Sequence, residues 1–145
     1  MTTHAEEPSR PTVPDVMAVA DFRAALRRFL RQSERIARQS GLTPQRYTLL
    51  MMIKGAPGGR EQSTVTELSE RLQLAQSTVT ELVRRAEEAG LVGREQSQRD
   101  ARVAHLRLTQ EGERRLMLSF TELAKERDQL RDAFSQLDGG LIGFV

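Results

Sequence analysis

Gln76, Ser77, Thr80, Glu81, Arg84 and Glu88 fall on one side of a helical pattern whose other side is Val79, Leu82, Val83 and Ala86. The apolar four recur at i, i+3, i+4 and i+7, the spacing of a stripe that packs on a core. At about 100° per residue the polar set faces outward, with Gln76 at the exposed N-terminal end. Gln, Ser, Thr and Arg are the side chains that hydrogen-bond base edges. Glutamine suits adenine, arginine suits guanine, and each good bidentate pair gives about 1–3 kcal/mol of discrimination. Glu81 has three roles open to it: accepting from cytosine, orienting Arg84 or Arg85 at i+3 or i+4, or repelling phosphate. The same face also fits a solvated surface laced by Glu–Arg pairs. A second polar group follows at Gln96-Ser97-Gln98-Arg99-Asp100-Ala101-Arg102. There Arg99 and Arg102 flank Asp100 in a loop, a place where a folded domain rarely gathers charge for stability.

The elements that must position these residues lie between Thr66 and Leu108. Thr66 reads as the N-cap of a first helix, Glu67–Leu72, with Glu67 favoured by the helix dipole. Leu74 would plug the corner of a tight turn, and the second helix follows. Glycine is usual where Gln73 sits and a capping serine or threonine where Ala75 sits; a missing cap costs about 1 kcal/mol. Gly90 is placed to stop the second helix. Leu91–Glu95 and Val103–Leu108 read as strands of a hairpin, and Gln62-Ser63-Thr64-Val65 as a short strand pairing with it. Two short helices and a hairpin make a winged helix-turn-helix, whose second helix lies in the DNA major groove. His105 alternates with Leu106 and points away from the buried side.

The run Ser77-Thr78-Val79-Thr80, then Ala89-Gly90-Leu91-Val92, Asp100-x-Arg102 and Leu108-Thr109-x-x-Gly112 resembles the MarR family of bacterial transcription regulators. The likeness spans roughly residues 15–137 and lies in the order and spacing of all four motifs. It implies a set of DNA contacts at Gln76, Ser77, Thr78, Thr80, Glu81, Arg84, Arg99, Asp100 and Arg102. Within that set Asp100 would fix a neighbouring arginine, Arg102 would probe the minor groove, and Arg99 would sit on phosphate. A narrow A·T-rich groove concentrates negative potential, which makes such an arginine physically sensible. Glu81 stands where the family often has arginine. The resemblance also implies a small, often aromatic effector between the second helical region and the DNA module, with Tyr47, Met51 and Met52 as candidates. By residue type alone, the two methionines read as core filler.

Outside this segment the chain is helical by pattern. Residues 1–14 read as a disordered tail that includes His4. Asp15 precedes a stripe of Val16, Val19, Ala20, Leu26, Leu30, Ile36 and Ala37 that runs up to Gly41. Its other face carries Arg23, Arg27, Arg28, Arg31, Arg35 and Arg38, which reads either as a solvated basic face or as phosphate contacts. Thr43 and Pro44 restart a helix, Pro44 to Lys54, that Gly55 ends. Thr109 caps one last long helix on which Leu116, Phe120, Leu123, Arg127, Leu130, Phe134 and Leu137 are spaced 4, 3, 4, 3, 4, 3. That heptad seam, interrupted only by Arg127, wants another helix. The first helix of the same chain is one answer and a two-fold partner the other; the resemblance favours both. The apolar ending from Gly139 to Val145 is expected to be buried at a dimer contact.

The fold expected is mainly α with a small β-hairpin, a winged helix-turn-helix with flanking N- and C-terminal dimerisation helices. It forms one domain over residues 15–145, with the winged part at about 44–108 and the dimerisation helices at about 15–40 and 109–145. Composition bounds the function. The 145 residues contain no cysteine, which removes disulfides, thiolate metal sites and thiol redox sensing. There is no apolar run long enough to span a membrane and no signal peptide, so a cytoplasmic location follows by default. No phosphate loop or metal-ligand cluster is present, and Asp100, Arg102 and His105 sit on a hairpin without a pocket, which argues against an enzyme and against a cofactor. Net charge is +2 with 20 Arg, yet it is 0 across residues 58–108, so bulk charge does not argue for DNA. The partners expected are double-stranded DNA, a second copy of the chain and a small effector, with no membrane. A winged-helix module that binds protein and not DNA is the alternative.

Overall fold

The structure, a computed structural model, describes residues 10–142. Its elements are α1 (Val13–Gln39), α2 (Pro44–Lys54), a 3-10 turn at Pro57–Gly59, α3 (Val65–Leu72), α4 (Gln76–Glu88), β1 (Val92–Gln96), β2 (Ala104–Leu108), α5 (Gln110–Glu122) and α6 (Ala124–Ile142). Most of the polar tail, His4 included, and Gly143-Phe144-Val145 lie outside the described residues. Among the described residues no helix is long and apolar enough to cross a membrane. The chain groups into two compact units, Gln32–Ala124 and the pair of segments 10–31 and 125–142.

The larger unit is built around α2, which touches α3, α4, α5 and β2. Its sequence explains the position: Tyr47, Leu49, Leu50 and Ile53 are all buried, so the helix is apolar on more than one side. Thr43 caps it, its hydroxyl accepting from the Arg46 N–H at 3.2 Å, with Pro44 in the first turn as expected. Leu68, Val79, Val83, Leu91, Leu106, Leu116 and Leu123 complete the core around it. Arg71 of α3 donates to the carbonyls of Met52 and Gly55 at 3.1 and 3.2 Å, stapling α3 to the end of α2. Lys54 bridges Glu61 at 3.0 Å and Glu113 at 2.6 Å, joining α2, the loop before α3 and the first turn of α5.

The cap of α3 is Thr64, not Thr66. Thr64 has extended backbone and its hydroxyl accepts from the Glu67 N–H at 3.2 Å, so the helix starts at Val65. The deciding signal is the acid three residues on, Thr64-x-x-Glu67, which Thr66 lacks. The early start also shortens the third strand to a single bridge, in which Ser63 exchanges hydrogen bonds with Leu106 at 3.1 and 2.8 Å. Gln73 takes the left-handed conformation, φ 55°, that ends α3 where glycine is usual, and Ala75 stands at the N-cap of α4 with no side-chain bond to offer. Leu74 does not fill the corner; it is 37% exposed and lines a surface groove.

Gly90, at φ 74°, ends α4 as expected. The Gly90 N–H bonds the Glu87 carbonyl at 3.0 Å and the Leu91 N–H bonds that of Ala86 at 2.9 Å, the paired closure of a Schellman motif. β1 and β2 then run antiparallel in register Val92↔Leu108 to Gln96↔Ala104, one residue inside the strand starts read from sequence. Thr109 clasps this corner to α5: its N–H bonds the Leu91 carbonyl at 3.0 Å, and its hydroxyl donates to the Gly90 carbonyl at 2.6 Å. The same hydroxyl accepts from the Gly112 N–H at 3.1 Å. Gly112 lies so close that a Cβ there would stand 2.1 Å from the Leu91 carbonyl oxygen.

In the smaller unit, α1 begins at Val13, two residues before the expected start, because Thr12 and Asp15 cap each other. The Asp15 carboxylate accepts from the Thr12 N–H at 2.7 Å and the Thr12 hydroxyl from the Asp15 N–H at 3.4 Å. The α1 stripe does not face one core. Val16, Val19 and Leu30 are exposed and Leu26 half-buried, while Ile36 and Ala37 are buried in the larger unit. Phe22 of α1 and Phe134 of α6 meet edge to face with ring centres 6.0 Å apart.

The expected last long helix is two helices. α5 ends at Glu122, Leu123 leaves helical geometry at φ −90° and ψ 6°, and α6 starts at Ala124. The Thr121 hydroxyl donates back to the Met117 carbonyl at 2.8 Å, a contact that bends helices. The apolar Gly139-Gly140-Leu141-Ile142 stretch continues the α6 backbone. The expected burial of the chain ending rests on side chains outside the described set.

A candidate nucleic-acid interface on α4 and the hairpin

The core face of α4 is as read: Val79, Leu82, Val83 and Ala86 are buried. The structure brings the polar candidates together on its other face. Gln76, Ser77, Thr78, Thr80 and Arg84 are exposed and Glu81 is half-buried. Gln76 touches the Thr66 hydroxyl through its amide at 3.4 Å, at the margin of a hydrogen bond.

Of the three roles open to Glu81, the structure shows the second. Its carboxylate takes the fork of Arg84, from Nε at 2.9 Å and from Nη2 at 2.6 Å, and also the Nε of Arg85 at 3.1 Å. Arg84 Nη1 pairs with Glu88, one turn on. The hydrogen bond from Arg84 holds the Glu81 carboxyl well below its ordinary value, at about 2. The same pairing raises Arg84 further above its already high value. Arg94 of β1 pairs with Glu87 of α4 at 2.8 Å and pins the hairpin to the helix. Sequence reasoning missed that contact, because no local periodicity links residues that meet around a turn.

The hairpin loop is knitted by its short polar side chains. The Ser97 hydroxyl accepts from the N–H groups of Arg99 and Asp100 at 3.2 and 3.4 Å. Asp100 Oδ1 accepts from the Arg102 N–H at 3.0 Å. Asp100 therefore sets the backbone of Arg102, a neighbouring arginine of the kind the resemblance implied it would fix. Among the described residues, the guanidinium groups of Arg99 and Arg102 are in no ion pair, and both residues are exposed. A self-bonded loop tipped by two cations in no ion pair is what an electronegative groove or a phosphate would meet.

The effector candidates lie in or against the core. Tyr47 is 4% exposed, in the core, and Met51 and Met52 pack half-buried against that core. A shallow groove of about 240 Å³ is lined by Pro44, Gln45, Thr48, Leu72, Leu74 and Leu82. The dimerisation candidates divide. Leu116 and Leu123 are buried inside the larger unit, while Phe120 and Phe134 are exposed and Leu130 and Leu137 are intermediate.

Residues 40–103 match the family model described as MarR family. No curated protein matches the sequence. Among solved structures, the chain is similar to AbsC, a MarR family transcriptional regulator from Streptomyces coelicolor. The two share 21% identity over 92% of this chain and 93% of that one, with a TM-score of 0.69. It is similar at 25% identity to Sco3205, a MarR family transcriptional regulator from the same organism solved in complex with DNA, over 88% and 78% of the two chains with a TM-score of 0.61. A mutant MarR from E. coli, complexed with operator DNA, aligns over 92% of this chain and 94% of its own at 17% identity, with a TM-score of 0.66.

Proposed function

We propose that the chain, whose residues 40–103 match the MarR family model and which is similar to solved MarR family regulators, is a member of that family and a transcription regulator that binds double-stranded DNA by sequence. It acts as a homodimer on an inverted repeat, and as a repressor, because occupying a promoter needs no further contact surface. The observation that carries this reading is one unit holding both the outward polar face of α4 and a loop tipped by Arg99 and Arg102, fastened by the Arg94–Glu87 pair. In the proposed complex α4 enters the major groove and the hairpin reaches the adjacent minor groove, and two such modules address half-sites about 10 bp apart. Gln76, Ser77, Thr78, Thr80 and Arg84 read base edges, Arg102 probes the minor groove and Arg99 sits on phosphate. The exposed apolar residues Val16, Met17, Val19 and Phe134 supply the dimer contact. A small effector acts by favouring one of two dimer geometries, which requires different affinities for the two; Tyr47, Met51 and Met52 remain its candidate contacts.

Selection of bound fragments from the organism's own genome tests the proposal. The outcome expected is a recovered inverted repeat, bound in gel shifts with an affinity that falls as salt rises, at a slope near −0.9 per phosphate neutralised. Recovery of fragments with no common sequence would overturn it. A second reading, a winged-helix module that binds protein, is favoured by the ion pairs that neutralise Arg84 and Arg85. It expects no duplex binding even at low salt.

A further inference from the structure

Arg84 has five N–H donors, and three of its nitrogen atoms are already engaged by carboxylates of its own helix. Glu81 takes the side edge of the guanidinium, Glu88 takes Nη1, and the other duty of Glu81 is to hold Arg85. The ion-paired cations and acids here balance: Arg84, Arg85 and Arg94 against Glu81, Glu87 and Glu88.

We propose that Glu81 sets the sequence discrimination of α4 by keeping Arg84 and Arg85 paired, which withholds both cations from the phosphate backbone and leaves the outer edge of Arg84 for a base. The inference rests on the DNA-binding reading given above and deepens it. Attraction to phosphate is Coulombic and needs uncompensated charge. Moving Arg84 onto a phosphate would strand Glu88 and leave Glu81 with Arg85 alone beside a polyanion. Guanine presents the neutral acceptors N7 and O6, which a paired arginine satisfies by direction without giving up its carboxylate. The surface therefore gains little from duplex in general and more from duplex of the right sequence. The pair is present throughout the neutral range, because Glu81 titrates at about 2.

The test compares the full chain with Glu81→Gln and Arg84→Ala on two probes, a random-sequence duplex and the duplex recovered by the wild type from genomic fragments. Binding is followed by fluorescence anisotropy across a salt series. Glu81→Gln is expected to bind the random duplex several-fold more tightly at low salt, with a slope steeper by about 0.9 for each phosphate gained. The ratio of affinities between the probes then shrinks. Arg84→Ala is expected to weaken the recovered duplex alone. Random-duplex affinity and slope unchanged in Glu81→Gln overturn the inference, as does an equal loss on both probes in Arg84→Ala, and either result leaves the DNA-binding reading standing. A wild type that recovers no common sequence removes that reading, and this inference with it. The melting curve of each variant is recorded alongside, so that a change in folding is told apart from a change in binding.

Discussion

At the scale of single residues, the decisive contrast is between arginines that are paired and arginines that are not. Arg102 is held only through its backbone, by Asp100, and its side chain is exposed. Arg102→Ala is therefore expected to leave the melting temperature unchanged and to weaken binding to the recovered duplex roughly tenfold, about 1.4 kcal/mol. Wild-type affinity in that variant would remove the hairpin from the interface. Glu81 gives a pH prediction whose sign follows from its depressed pKa. The folded state releases this proton more readily than the unfolded chain, so the pair contributes above the ordinary value near 4.5 and is lost as pH falls through about 2. Carboxyl-carbon NMR should show Glu81 titrating near 2, and in Arg84→Ala its midpoint should rise; a midpoint at the ordinary value in the wild type would contradict the pairing. The i+3 and i+4 spacing made Arg84 and Arg85 legible as partners of Glu81. It could not rank them against cytosine or phosphate, since that depends on rotamers. The Arg94–Glu87 contact was illegible because it forms around a turn.

At the scale of elements, sequence was informative wherever a helix end uses short-range chemistry. Thr43 with Pro44, Gly90 and Thr109 all stand where their side chains or backbone freedom are used. The start of α3 was misplaced because two threonines compete there, and the acid that decides between them lies three residues beyond the right one. Ala75 tests the cost of a missing cap. Ala75→Ser should supply an oxygen to the first turn of α4 and raise stability by about 1 kcal/mol, read from denaturant unfolding; no gain would mean that packing has made the cap redundant. Gly112 tests the clasp. Gly112→Ala puts a methyl group against the Leu91 carbonyl, so the helix start or the corner must move. The cost expected is about 1–3 kcal/mol, with DNA binding reduced as the corner shifts; an unchanged melting temperature would show that the corner yields freely.

At the scale of the whole molecule, the heptad spacing from Leu116 to Leu137 is real as a pattern but is used in two ways. Leu116 and Leu123 are buried in the larger unit, and the helix breaks at Leu123, so a regular repeat conceals two different packing tasks. Periodicity records which side of a helix is apolar and carries no label for the surface that covers it. Substitution separates the two. Leu123→Asp should unfold the larger unit, whereas Phe134→Asp, at a residue 55% exposed, should leave that unit folded and halve the mass seen by light scattering. Full mass in Phe134→Asp would take α6 out of the proposed dimer contact. The joint made by Thr109 and Gly112 has a mechanical meaning as well. It ties the end of α4, the root of the hairpin and the start of α5 at a single point, with no slack for even one methyl group. In the proposed DNA complex, a force that displaces the start of α5 would carry α4 and the hairpin with it, so that grip on the two grooves would be gained or released together.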